Sequence, residues 1–274
     1  MLTPNLDRLA GEGLCFNRAY SNSPVCSPYR GILFTGKYPY ENGVITNCNS
    51  GNPDCYLRAD AICLPDVLHE NGYECGYIGK WHLECPEEKD YPYLPPRRWD
   101  GNIWDAYTPK ERRHGFTFWH SYGCCDNHFE PHYWETDGEA KDCLHVKQWA
   151  PEHETDVAVE YIKNADTQKP FALFIAHNPP HMPFEMVPDK YLELYRDKTA
   201  EELLNRPNVP EGEPGSRARA SVQQYFAAVS GLDEQLGRVL DAIDEKGIRD
   251  NTIVVYTSDH GEMMGSHGRM EKNS

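Results

Sequence analysis

The sequence predicts an α/β domain with a largely parallel central sheet covered by helices on both faces. Segments of helical periodicity alternate with short apolar runs four times along the chain. The runs are continuously apolar, as in strands buried on both sides, and not alternately polar. A third pattern shows where chemistry would sit. Each run leads into Cys, Lys, His, Asn or Asp, and ligands of open α/β sheets bind beyond the carboxyl ends of the strands.

The first helix is expected over residues 3–10. Thr3 caps it, Pro4 takes the first helical position, Leu6 and Leu9 lie three apart, and Gly11 and Gly13 stop it. A strand over residues 14–20 then leads towards Cys26. Pro28 predicts a short helix over residues 27–34 with Cys26 at its N-terminus. The second pair is a helix over 64–71, opened by Pro65 and closed by Gly72. Its strand, over 73–78, ends in Gly79-Lys80-Trp81-His82. In the third pair Val157, Tyr161, Ile162 and Ala165 share a helical face, and Pro170 precedes a strand over 171–176 that ends at His177 and Asn178.

The fourth pair has the strongest periodicity. Val222, Phe226, Val229, Leu232, Leu236, Val239, Leu240 and Ile243 recur every three or four residues, and Gly247 closes the helix. Residues 252–257 read as a buried strand ending at Ser258-Asp259-His260-Gly261. Residues 85–151 lack periodicity and read as a loop-rich excursion over the sheet edge. Residues 183–219 read as a surface excursion with one short helix near 189–195. No linker or internal repeat divides the chain, so one domain is expected.

The composition narrows the function. Lys plus Arg is 27 and Asp plus Glu is 43, a net charge of −16, which argues against a nucleic-acid-binding chain and a polybasic membrane-surface protein. No apolar run approaches the ~20 residues of a spanning helix. A hydrophobic content of 39% suffices for a core. Ten cysteines without a Cys-x-x-Cys pair do not make a zinc ribbon, and free thiols are expected ahead of a disulfide framework.

Cys26-Ser27-Pro28-Tyr29-Arg30 is the sharpest local signal. A cysteine at a helix N-terminus faces unpaired amides that favour an anion, and Arg30, one turn on, adds a fork suited to an oxyanion. Alone, Cys26 could equally be one more buried thiol. Lys80 and Lys272 would be solvated charges, His181 a satisfied histidine, and Asp259-His260 a polar loop. His128, His132, Tyr133 and Trp134 could line a recognition pocket or simply pack.

Taken together, these pieces resemble the sulfatase family of the alkaline phosphatase superfamily. Cys-x-Pro-x-Arg over 26–30 is preceded by Thr-Pro-Asn-Leu-Asp-Arg-Leu over 3–9 and followed by Thr-Gly-Lys-Tyr-Pro over 35–39. Residues 79–82, 180–184 and 258–262 match three more of the family's motifs, in its order. The resemblance implies an alkaline phosphatase-like fold, and residues 1–274 as an incomplete catalytic domain lacking its first strand and C-terminal subdomain. It implies that a formylglycine-generating maturation enzyme oxidises Cys26 to formylglycine, whose hydrated aldehyde attacks sulfur. Asp259, His260 and the residue at Cys26 match ligands of one calcium ion, a set incomplete in this chain.

Lys80, His82, His181 and Lys272 match residues that hold sulfate oxygens or protonate the leaving group, His181 being the first candidate donor, while Arg30 would orient the nucleophile. The implied activity is hydrolysis of a sugar or aryl sulfate ester. Poor metal binding and turnover are expected of the chain taken literally. Two alternatives stay open: a phosphonate monoester or phosphodiester hydrolase of the same superfamily, and a non-catalytic fragment. The compartment is not legible.

Overall fold

The computed structural model describes residues 1–87, Tyr93 and residues 97–272. Helix α1 (Pro4–Glu12) starts at a proline, and its first-turn amides of Asn5 and Leu6 donate to the Asp233 carboxylate rather than to a local cap. Helix α2 (Cys26–Thr35) ends at Gly36 in the left-handed conformation, and the short α3 (Pro39–Asn42) follows. Helix α4 (Leu64–Glu70) leads into strand β1 (Glu74–Lys80). Then come β2 (Phe118–Tyr122), β3 (His132–Glu135), β4 (Leu144–His145), helix α5 (Ala150–Asn164) and strand β5 (Phe171–Ala176). The chain continues through α6 (Asp189–Leu192), whose end tightens to a 3-10 turn over Glu193–Tyr195, then α7 (Ala200–Leu203) and α8 (Gly215–Lys246).

The sheet order is β4-β3-β2-β1-β5. Strands β2, β1 and β5 are parallel, with Gly76 opposite both Phe118 and Leu173, and β3 and β4 add an antiparallel edge. Both faces are covered, as expected. On one, Phe34 of α2 and Leu68 of α4 pack with Tyr77, Trp81, Phe116, Trp119, Ala172 and Phe174. On the other, Leu173 meets Val159 and Ile162 of α5 and Ala242 and Ile243 of α8. Among the described residues no helix is long and apolar enough to cross a membrane. All ten cysteines are free thiols.

Three sequence expectations are corrected. Residues 14–20 and 252–257 are not strands. A strand needs a neighbour for its ladder as well as apolar side chains, and neither segment has one among the described residues. Leu14 is 79% exposed and Ile253 92% exposed, although Val254 still packs against the α5–α8 face. The third concerns residues 85–151, which hold β2, β3 and β4 and so widen the sheet. Their strands are spelled Phe-Trp-His-Ser-Tyr and His-Tyr-Trp-Glu, buried through His and Trp, so an aliphatic pattern never forms.

Candidate active site

The site lies where β1 and β5 end and α2 begins. Cys26 is the first residue of α2 and is buried. Its Sγ lies 3.3 Å from His260 Nε2 and 3.8 Å from Lys80 Nζ. Burial pushes the thiol up, but Lys80 and then hydrogen bonds from His260 and His82 hold it well below its ordinary value. Burial lowers His260, yet Cys26 and Asp259 leave it raised. Each residue is thus among the causes of the other's shift.

Arg30 lies one turn into α2 with its guanidinium buried. Nη1 donates to Tyr77 Oη (3.2 Å) and to the Lys80 carbonyl (2.5 Å), and Nη2 to Asp259 Oδ2 (3.2 Å). Burial raises the Asp259 carboxyl, but Arg30, His260 and Lys80 bring it down to about 2. The guanidinium thus ties the end of β1 to the Asp259 loop.

Gly79 allows β1 to deliver Lys80. Its φ is 94°, and a Cβ there would stand 2.4 Å from the Ala176 carbonyl oxygen of β5. Lys80 is buried, and its Nζ donates to Asn178 Oδ1 at 3.0 Å. Asn178, just past β5, is held in turn by donating from Nδ2 to the Cys125 carbonyl at 2.8 Å. His82 has a left-handed φ of 53°, and its Nε2 lies 3.1 Å from the Cys48 carbonyl. Burial lowers its pKa, while Cys124 and Cys26 leave it raised.

His181 and Lys272 form a pair across the site. His181 Nδ1 lies 2.8 Å from the Met182 carbonyl, so it carries the hydrogen; Nε2 is then the acceptor facing Lys272 Nζ at 2.6 Å. Burial, Lys80 and Lys272 hold His181 well below its ordinary value, so the ring is neutral. Its ring centroid is 6.3 Å from that of His260.

The residues singled out in sequence therefore come together: Cys26, Arg30, Lys80, His82, His181, Asp259, His260 and Lys272. Such a cluster suits an anion, with the cationic side chains of Arg30, Lys80 and Lys272 gathered near the buried Cys26. By contrast, His132, Tyr133 and Trp134 are packed: His132 pairs with buried Asp105 at 2.5 Å, and Tyr133 donates to Glu154. His128 is buried, its Nε2 3.4 Å from Asn178. Asn178 and Cys124 were not assigned a role in sequence. Asn178 carried one signal, as a polar residue two positions past the apolar run over 171–176.

A family model described as Sulfatase matches residues 1–274. The chain belongs to the sulfatase family. It is 44% identical over 273 residues to an endo-4-O-sulfatase of Bacteroides thetaiotaomicron, covering 96% of this chain and 52% of the relative. It is 37% identical to an ulvan-active sulfatase of Formosa agariphila, over 97% of this chain and 47% of the relative. The solved structure of yidJ from Bacteroides fragilis, assigned to the sulfatases, superposes with a TM-score of 0.94 at 43% identity, covering 98% of this chain and 59% of that one. This sulfatase-family chain thus spans about half the length of the curated relatives it matches.

The family resemblance implies a calcium ion at this cluster. Ligand atoms of Cys26, Asp259 and His260 lie within 4.8 Å of one another. They offer one sulfur, one nitrogen and one carboxylate already paired to Arg30. Calcium takes about six to eight oxygens, so these three residues alone do not fit it.

Proposed function

We propose that this chain is part of an enzyme that hydrolyses a sulfate ester on a carbohydrate. The 44% identical relative named endo-4-O-sulfatase makes a 4-O-sulfated polysaccharide the first candidate substrate. The observation that carries the reading is the convergence of Lys80, His260 and the His181–Lys272 pair around the buried Cys26 position. Conversion of Cys26 to formylglycine, in this proposal by a maturation enzyme, would supply a hydroxyl nucleophile and a second hydroxyl that drives sulfate release.

The remaining residues take roles that follow from their positions. The Lys80 ammonium, fixed by Asn178, is aimed at Cys26 and neutralises a sulfate oxygen bound there. His82, raised in pKa on the same side, is a second donor. The His181–Lys272 pair holds a proton between Nε2 and Nζ, and an ester oxygen docked there takes it on leaving. His181 itself, with its hydrogen on Nδ1, accepts the Lys272 hydrogen bond through Nε2 and orients the ammonium, which is the source of that proton. Arg30 fixes Asp259 and the end of β1 rather than reaching for substrate. Asp259 and His260 are proposed as part of a cation site, and no step is assigned to the ion on this donor set. With a net charge of −16, the protein's overall field opposes a sulfate, so affinity rests on this local cluster.

The test is sulfate release from matched 4-O- and 6-O-sulfated saccharides, with a phosphodiester as control, alongside mass spectrometry of the Cys26 peptide after co-expression with a formylglycine-generating enzyme. The expected result is an aldehyde at residue 26, release from the 4-O-sulfate, and no release by Cys26→Ala. A modified peptide that leaves every sulfated sugar intact overturns the reading.

A further inference from the structure

We propose that Asp126, fixed by Arg98, accepts a hydrogen bond from a hydroxyl of the sugar ring that carries the sulfate, and so selects which sulfated ring the site takes. The inference rests on the reading of the site as one for a carbohydrate sulfate ester. It adds the side chains that meet the sugar rather than the sulfate.

Asp126 stands next to both residues that hold the site's lysines. Its Oδ1 lies 3.3 Å from Nδ2 of Asn178, the partner of Lys80, and 3.8 Å from Nδ1 of His181, the partner of Lys272. Neither neighbour uses that oxygen up. Asn178 Nδ2 donates at the shorter distance of 2.8 Å to the Cys125 carbonyl, and His181 Nδ1 donates at 2.8 Å to the Met182 carbonyl. A carboxylate oxygen accepts through two lone pairs, so Oδ1 has room for a donor from outside. The side chain is also reachable, at 26% exposed, although Cys124 and Cys125 just before it are buried.

The other carboxylate oxygen is fixed. Arg98 Nη2 lies 2.7 Å from Asp126 Oδ2 and 3.3 Å from Cys124 Sγ. The guanidinium carbon is 4.9 Å from the centre of the Trp104 ring, and that ring's centroid is 6.0 Å from that of His82. One wall of the site thus runs from His82 through Trp104, Arg98 and Asp126 to His181. An aromatic face with a few placed polar groups is the kind of surface that orients a neutral ligand.

Charge decides what Asp126 reads. A carboxylate beside a sulfate position repels the substrate's own charge, and Arg98 offsets this only in part. Sulfate oxygens accept hydrogen bonds and cannot donate one to Asp126, whereas a sugar hydroxyl can. Lys80 and Lys272 therefore take the sulfate, and Asp126 takes the ring that bears it.

The experiment is calorimetric titration of the unmodified chain with a 4-O-sulfated disaccharide, with its 3-deoxy and 6-deoxy analogues in the sulfated ring, and with inorganic sulfate. One of the two analogues should bind about ten- to a hundredfold more weakly than the parent saccharide, the loss of a hydrogen bond to a charged group. That comparison needs no variant. In Asp126→Ala the parent saccharide should weaken to the level of that analogue, while inorganic sulfate binds no more weakly, because a negative charge has been removed from beside it. Analogues that bind like the parent, a preference that survives in Asp126→Ala, or sulfate affinity that falls in step with the saccharide overturns the proposal. A saccharide that binds no more tightly than inorganic sulfate, or does not bind, also overturns it. The broader reading is judged separately, by sulfate release from the formylglycine-bearing protein.

Discussion

Asn178 accepts a hydrogen bond from the Lys80 ammonium at 3.0 Å, and both side chains are buried. The amide acts as a jig: its nitrogen is fixed by the Cys125 carbonyl, so its oxygen has one direction in which to hold the lysine. Asn178→Ala should leave a buried ammonium short of a partner. Hydrogen bonds to charged groups contribute about 1.5–3 kcal/mol, so kcat/KM on a 4-O-sulfated saccharide should fall about ten- to a hundredfold. Circular dichroism should meanwhile show a folded protein. An unchanged kcat/KM would remove Asn178 from the positioning of Lys80.

Arg30→Lys tests whether position 30 needs a charge or a fork. The guanidinium reaches Tyr77, the Lys80 carbonyl and Asp259 at once, and an ammonium on a flexible stem does not cover three acceptors in that plane. The substitution should cost about 1.5–3 kcal/mol in urea unfolding. Wild-type stability in Arg30→Lys would mean that charge alone suffices.

Gly79→Ala concerns the strand that carries Lys80. A methyl group at this position meets the Ala176 carbonyl oxygen at 2.4 Å, on a backbone with φ of 94°. Neither strand can retreat without breaking the β1–β5 ladder, which pairs Gly79 with Ala176. A loss of about 3 kcal/mol or more is expected, read as a lower urea midpoint. Gly101, also at positive φ (79°) but with open space around it, serves as the control, where alanine should cost only the backbone term.

How much of this was legible depended on where each signal resided. The periodicity over 222–243 needed no tertiary context, and α8 covers it. The run over 171–176 became β5 because β1 lies beside it, whereas 252–257, apolar at its centre, has no neighbour among the described residues and stays out of the sheet. Propensity lives in the sequence, but pairing does not. The same division holds at the site. Cys26, Lys80, His181 and Asp259 could be picked out by residue type and motif, whereas the Asn178–Lys80 bond joins residues 98 apart and exists only once β1 and β5 are adjacent. Likewise, His181 was the first candidate proton donor by residue type, and only the Met182 carbonyl on Nδ1 reveals that Nε2 faces Lys272 as an acceptor.

The acid sensitivity of the fold should trace in part to a histidine pair far from any motif. His120 on β2 stacks on Tyr133 and shares a hydrogen bond with His153, Nε2 to Nε2, at 3.0 Å. Burial and then His153 push His120 down to about 3, although Glu135, mostly in solvent, lies 3.7 Å from its other nitrogen. A histidine lowered in the folded state binds its proton less readily than in the unfolded chain. Its contribution is intact above the unfolded value near 6.5 and declines as pH falls towards about 3. The slope is up to about 1.4 kcal/mol per pH unit. His120→Phe keeps the stack on Tyr133 and removes the titrating ring, while His153 is only partly buried and can turn to water. Urea midpoints at pH 7, 6, 5 and 4 should therefore decline less steeply in His120→Phe than in the unsubstituted protein. Parallel declines would assign the acid sensitivity to other groups.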